Sequence, residues 1–193
     1  SDASGITIDS FRNTDWGIPP SETELRALAE SAHRNIFAAQ AKDPALKNMA
    51  STLTAGLFTA NLLRGVHCGD TRVAIARANG VKRLTTDHSE GQRLFAAGKL
   101  TKDELIDYPR KNILDSALGA RSEPQIDTFT FELLPRDKVF FTSDGVHGKV
   151  MLREVRDIAA HHEDPEQFVL EVKELVNSRG PDDNFSILAV FVQ

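Results

Sequence analysis

Cysteine is almost absent from this 193-residue chain: Cys68 is the only one. An internal disulfide is therefore impossible, and so is a structural zinc site built on several thiolates. Cys68 lies in an apolar stretch and is expected to pack as a small hydrophobe, which fits a reducing cytoplasm. No apolar run approaches the length of a membrane-spanning helix. A strong positive charge is also missing. The net charge of -5 argues against a non-specific nucleic-acid binder. A calcium loop of the D-x-D-x-D-G type with a distal glutamate does not occur. What remains is a chain of single-domain length, 40% hydrophobic, with enough apolar residues for a real core.

The helix signals are local and clear. In "PPSETELRALAESAHRNIFAAQ" two prolines precede Ser21, and Ser21 with Glu24 forms a capping box. Leu25, Leu28, Ala32 and Ile36 then fall on one face. Upstream, "GITIDSFRN" is compatible with a short helix or a strand. Three short apolar runs follow, "STLTAGLFTA", "NLLRGVHC" and "TRVAIARANGVKRLT", punctuated by Gly69-Asp70 and Asn79-Gly80. They read as an antiparallel meander with a hairpin at the Asn-Gly pair. From Asp87 to Gly119 the pattern is polar and helical, with a second capping box at Thr101 and Glu104. "DTFTFELL" alternates with Phe129, Phe131 and Leu133 on one side, and "KVFFTSDG" is a further strand. Two helices come next, the second beginning at Asp164-Pro165 and burying Phe168, Val172, Leu175 and Val176. "FSILAVFV" reads as a closing central strand. Strands and helices come in blocks, which predicts an α+β fold with antiparallel sheets.

The acidic residues raise the question of chemistry. "GPDDNFSILAVFV" puts Asp182 and Asp183 at the mouth of an apolar strand. A solvated turn is one reading and a metal ligand is the other. Asp70 after "VHCG" and Asp144 after "VFFTS" share the same placement at a strand end. Strand ends on one rim can converge, and converging carboxylates repel unless a cation lies between them. An oxygen-only ligand set favours Mg²⁺ or Mn²⁺.

Four motifs then occur in order: "HCGDTRVAIARANGVKRLTTDHS", "NILDSALG", "VFFTSDG" and "GPDDNFSILAVFV". With "MASTLTAGLF", they resemble the metal-dependent protein serine/threonine phosphatases, the protein phosphatase 2C or PPM family, in the bacterial style. The resemblance covers nearly the whole of residues 1–193. It implies an α-β-β-α sandwich of two antiparallel sheets flanked by helices. It also implies two Mn²⁺ or Mg²⁺ ions, with a possible third, and a metal-activated water as nucleophile. By position, Asp144 and Asp183 look like ligands of the metal pair, with Gly145 and Asn184 beside them, and Asp70 like a ligand of the third ion. Residues from about 88 to 119 look like a mobile flap, with His88, Ser89 and Arg110 as its substrate-side residues. The implied substrates are phosphorylated proteins, products of a serine/threonine kinase, in the cytoplasm, with no nucleic acid or membrane as partner.

The sequence also departs from that family. Nothing matches its opening strands, which carry a phosphate-binding arginine and an acidic residue, or its "DGMGG"-like motif with a further ligand. "SDASGITIDSFRN" resembles the segment just after that motif, and Asp2 is a poor stand-in for the ligand. Residues 1–193 alone are therefore expected to turn over little phosphoester, and a phosphatase-like binding or regulatory module is the alternative. Arg136 in "LPRD" occupies a turn position where the family usually has glycine. His161, His162 and Glu163 are read as a solvated helix end, His33 and His67 as structural, Asp182 as a turn residue. His147, just past "SDG", is read as a loop residue rather than a proton donor.

Overall fold

The computed structural model describes residues 2–14, 19–120 and 123–193. In chain order its elements are α1 (Asp2–Arg12), α2 (Glu22–Lys42), a short 3-10 turn (Pro44–Leu46), β1 (Leu53–Phe58), β2 (Leu62–Cys68), β3 (Arg72–Arg77) and β4 (Gly80–Arg83). There follow α3 (Glu90–Ala96), α4 (Lys102–Asp107), β5 (Asp127–Glu132), β6 (Lys138–Thr142), α5 (Asp144–His147), α6 (Leu152–His161), α7 (Pro165–Ser178) and β7 (Ile187–Phe191). The chain divides into two compact units. One runs to Asp70 and resumes over Asp87–Phe131. The other joins Thr71–Thr86 to Glu132–Gln193.

The first unit carries a three-stranded sheet in the order β1-β2-β5. Helix α2 starts at the Ser21–Glu24 capping box, with both reciprocal bonds made. Its buried stripe is Leu25, Ala29, Ala32 and Ile36, with Leu28 only half-buried at its edge. That stripe packs with Ala3 of α1, Val66 and Cys68 of β2, and Leu118 and Ile126. The ambiguous segment "GITIDSFRN" is therefore helical for most of its length, and Ala3 and Thr7 are the buried residues of α1.

The second unit holds an antiparallel sheet in the order β4-β3-β6-β7. Helices α6 and α7 cover it. Asp164 caps α7 by accepting from the Glu166 N–H, with Pro165 in the first turn. Phe168, Val172 and Val176 of α7 are fully buried, and the Phe168 ring stacks on Phe140 of β6 with 4.7 Å between centroids.

The α+β reading, with antiparallel sheets and flanking helices, therefore holds, and three of its details change. The apolar runs at 51–85 are no single meander: β1 pairs with β2, while β3 pairs with β4 and β6 in the other sheet. The switch happens at Gly69-Asp70, where Gly69 adopts φ +115°. The β3–β4 hairpin turns on Ala78-Asn79, one residue before the Asn-Gly pair, with Arg77 opposite Gly80 and Ala78 at φ 50°. Finally, β7 is an edge strand among the described strands, and its Leu188 is exposed. An apolar strand end to end suggests a central position, but here only one face meets the core.

Candidate metal centre

In the second unit β6 and β7 run antiparallel with Thr142 opposite Ile187. The C-terminal end of β6 and the N-terminal end of β7 therefore share one rim. Just beyond the ladder the two chains clasp once more. Ser143 donates its N–H to the Ser186 carbonyl at 3.0 Å, and the Ser186 N–H donates to Ser143 Oγ at 2.9 Å. Asp144 is the next residue on one side, and Asp183 lies three residues back on the other.

Both segments are anchored from below. Val146, two residues after Asp144, is fully buried, and Phe185, two residues after Asp183, packs on the same core. Gly145 makes the approach close. A Cβ there would lie 2.6 Å from the Asn184 carbonyl oxygen and 2.8 Å from the Phe185 Cβ. No larger residue fits without parting the two acid-bearing segments.

Each carboxylate is oriented by its own backbone. Asp144 Oδ1 accepts from the Gly145 N–H at 2.9 Å, and Asp183 Oδ1 accepts from the Asn184 N–H at 2.7 Å. The bond fixes one oxygen of each, and both side chains are exposed at the rim. Two exposed, pre-oriented carboxylates are a hard-oxygen donor set suited to Mg²⁺ or Mn²⁺, whose remaining positions water can fill. Asp182 stands apart from this pair and forms an ion pair with Lys149, as a turn residue would.

Asp70 belongs to the first unit, half-buried at the end of β2. Its turn is stapled by His88: the His88 N–H donates to the Gly69 carbonyl at 2.7 Å, and the Gly69 N–H donates to His88 Nδ1 at 3.1 Å. Among the described residues no three His, Cys, Asp or Glu side chains gather closely enough to hold a metal ion. The structure thus brings Asp144 and Asp183 to one rim of the second unit, while Asp70 lies in the first.

The other residues singled out by sequence find varied partners. Ser89 caps α3, accepting from the Gln92 N–H. Arg110 forks onto Glu90, with Nε 2.9 Å from Oε1 and Nη2 2.7 Å from Oε2, and the Tyr108 hydroxyl also donates to Oε1. Arg110, and after it Tyr108, hold the Glu90 carboxyl below its usual range. His161 and His162 do not converge: the first bonds the Asp157 carbonyl and the second meets Glu171, while Glu163 lies 3.6 Å from Lys138. His33 Nδ1 accepts from the Gly119 N–H, and His67 is fully buried against Thr54. His147 lines a cavity of about 230 Å³ with Arg72 and Arg83. Burial pushes the Cys68 thiol up to about 11. Sequence reasoning missed Asp127, which bonds His88 Nε2 at 3.0 Å. It lies 39 residues from its partner, and no spacing pattern signals it.

No protein-family model matches the sequence. Related proteins are found nonetheless. The serine/threonine phosphatase stp of Listeria welshimeri is 30% identical over 173 residues, covering 88% of this chain and 67% of that protein. The solved structure of the Mycobacterium tuberculosis serine/threonine phosphatase PstP/Ppp superposes with a TM-score of 0.89 at 26% identity, over 100% of this chain and 82% of its own. A structure of the PstP catalytic domain in complex with two manganese ions gives a TM-score of 0.83 at 26% identity, over 100% of this chain and 81% of its own.

Proposed function

The chain belongs to the PPM, or 2C-type, family of serine/threonine protein phosphatases, and from that premise we propose that it hydrolyses phosphoserine and phosphothreonine in proteins with Mn²⁺ or Mg²⁺ held in part by Asp144 and Asp183. The observation that carries the reading is the β6–β7 register, which sets these two carboxylates on adjoining, core-anchored segments. When bound, such cations lower the pKa of a coordinated water and offset charge on the phosphoryl oxygens. The chain's own contribution is orientation: the Gly145 and Asn184 N–H groups hold one oxygen of each carboxylate. The PstP relative with two manganese ions supports the same cofactor here. Asp70 is proposed as a ligand of a third ion, and residues 88–119 as the flap beside the site. The substrates would be the products of a serine/threonine kinase in the cytoplasm. No described helix is long and apolar enough to cross a membrane.

The test is hydrolysis of a phosphothreonine peptide across a Mn²⁺ titration. The protein is assayed as residues 1–193 and with whatever its gene encodes upstream of Ser1. Turnover should require the metal and fall by about a hundredfold or more in Asp144→Asn and Asp183→Asn, each of which removes a charged ligand. Turnover that survives chelation would refute the proposal. Phosphopeptide binding without turnover in every form would favour the binding-module reading.

A further inference from the structure

Two of the imidazoles are deeply buried beside the Asp70 turn, and one of them, His88, grips it. Gly69 is held at both of its polar backbone atoms by this single residue: the carbonyl by the His88 N–H and the N–H by His88 Nδ1. A backbone N–H can only donate, so Nδ1 carries no proton, and the neutral ring has its proton on Nε2. That Nε2–H is aimed at Asp127 Oδ2, 3.0 Å away. Both ring nitrogens are therefore committed, and the side chain is only 1% exposed. A ring so placed cannot reach a substrate to move a proton.

The same residue also ties down the segment that follows. Its carbonyl accepts from the Asp115 N–H at 2.9 Å, and Ser89 bridges Leu114. The start of the 88–119 segment is thus fastened to Gly69, and residues 114–115 near its end are fastened to that start. The turn needs such fastening. Gly69 sits at φ +115°, a conformation that confers no preference for this turn over the many others open to glycine. His67 closes the other side, its ring 4.7 Å from that of His88 and its Nδ1 bonded to Thr54 Oγ1 at 2.8 Å.

We propose that His88, oriented by Asp127, is a positioning residue that clamps Gly69, setting the Asp70 turn and the start of the 88–119 segment together. Its relevance to catalysis rests on the reading of Asp70 as a metal ligand. The clamp itself does not, and it is tested without metal. In the protein labelled with ¹⁵N-histidine, His88 should show a protonated Nε2 and a bare Nδ1. A proton on Nδ1 would overturn the proposal outright.

Two variants then separate the halves of the ring. In His88→Asn an amide oxygen lies near the place of Nδ1 and can still accept from Gly69. In His88→Gln the amide reaches toward Asp127 but offers Gly69 nothing. Hydrogen exchange at the Gly69 amide should stay near the wild-type rate in His88→Asn. It should quicken by about tenfold or more in His88→Gln, as expected for a buried donor that loses its acceptor. Equal exchange in the two variants would refute the clamp. In Mn²⁺ titrations of turnover, His88→Gln should need more metal for half-maximal activity, as Asp70→Asn does, and His88→Asn should not. If Asp70→Asn leaves the Mn²⁺ dependence unchanged, the metal reading of Asp70 falls, and the Gly69 exchange rates still decide the clamp.

Discussion

Arg136 sits at φ +73° between β5 and β6. The turn runs from Leu134 to Asp137, closed by the Asp137 N–H on the Leu134 carbonyl at 3.1 Å. Pro135 is its second residue and Arg136 its third, the arrangement of a type II turn, which favours glycine at the third place. The turn cannot relax, because its last residue is pinned. Asp137 is fully buried, accepts from the Leu134 N–H at 2.7 Å, and takes a two-pronged bond from Arg77 at 2.8 and 2.7 Å. The Arg136 N–H in addition donates to the Val192 carbonyl at 2.9 Å. A side chain held in the left-handed region costs about 1–2 kcal/mol. Glycine removes that strain, but its freer unfolded chain gives back about 0.5–1 kcal/mol. Since the Arg136 side chain is exposed, its loss changes stability by only about 0.5 kcal/mol either way. Arg136→Gly should therefore stabilise the protein by about 0.5–1 kcal/mol, a rise of about 1–4 °C in Tm for a chain of this size. Arg136→Ala keeps the Cβ and should gain nothing. Urea titration of the three proteins decides the matter. A glycine variant no more stable than the alanine variant would refute the strain argument.

Three further outcomes are expected of the folded protein. Cys68, fully buried with its thiol raised to about 11, should resist alkylation in the native protein at pH 8 and react once the chain is unfolded. Arg179, and after it the Met151 N–H, hold the Glu154 carboxyl at about 2 against an ordinary 4.5. Because the folded value is the lower one, that stabilisation is complete above about pH 4.5 and fades as pH falls toward 2. Glu154→Gln should thus be less stable than wild type at neutral pH, with the gap closing across that window in urea titrations; a gap that is constant or widens in acid would contradict this. Gly145→Ala should cost about 1–3 kcal/mol of stability by overpacking and weaken Mn²⁺ binding as well. Gly5→Ala on α1, where a Cβ meets nothing within 4 Å, should do neither.

Local signals in the sequence carried further than long-range ones. The Ser21–Glu24, Thr101–Glu104 and Asp164–Pro165 helix starts were all readable, because capping involves groups within three residues of one another. The strands were readable as apolar runs, but their partners were not. Nothing in "VHCGDTRVA" announces that the chain leaves one sheet at Cys68 and enters another at Arg72, since pairing is decided by elements such as β6 some seventy residues on. Asp144 and Asp183 were legible from their place at strand ends and from the family's motifs, while the clasp of Ser143 on Ser186 and the tight fit of Gly145 on Asn184 came only with the β6–β7 register. Arg136 shows the opposite case: the sequence marks an unusual residue in a turn, and only the backbone shows that it is strained.

Asp144 and Asp183 are proposed to serve the same metal ions. Calorimetric titration of Mn²⁺ into the wild-type protein, Asp144→Asn, Asp183→Asn and the double variant tests this directly, with no need for turnover. Each single variant should weaken the tightest binding by about tenfold or more. The double variant should lose much less than the sum of the two, because the second substitution acts on a site already broken. Undiminished Mn²⁺ binding in either single variant, or losses that simply add, would mean that the two carboxylates do not share a metal.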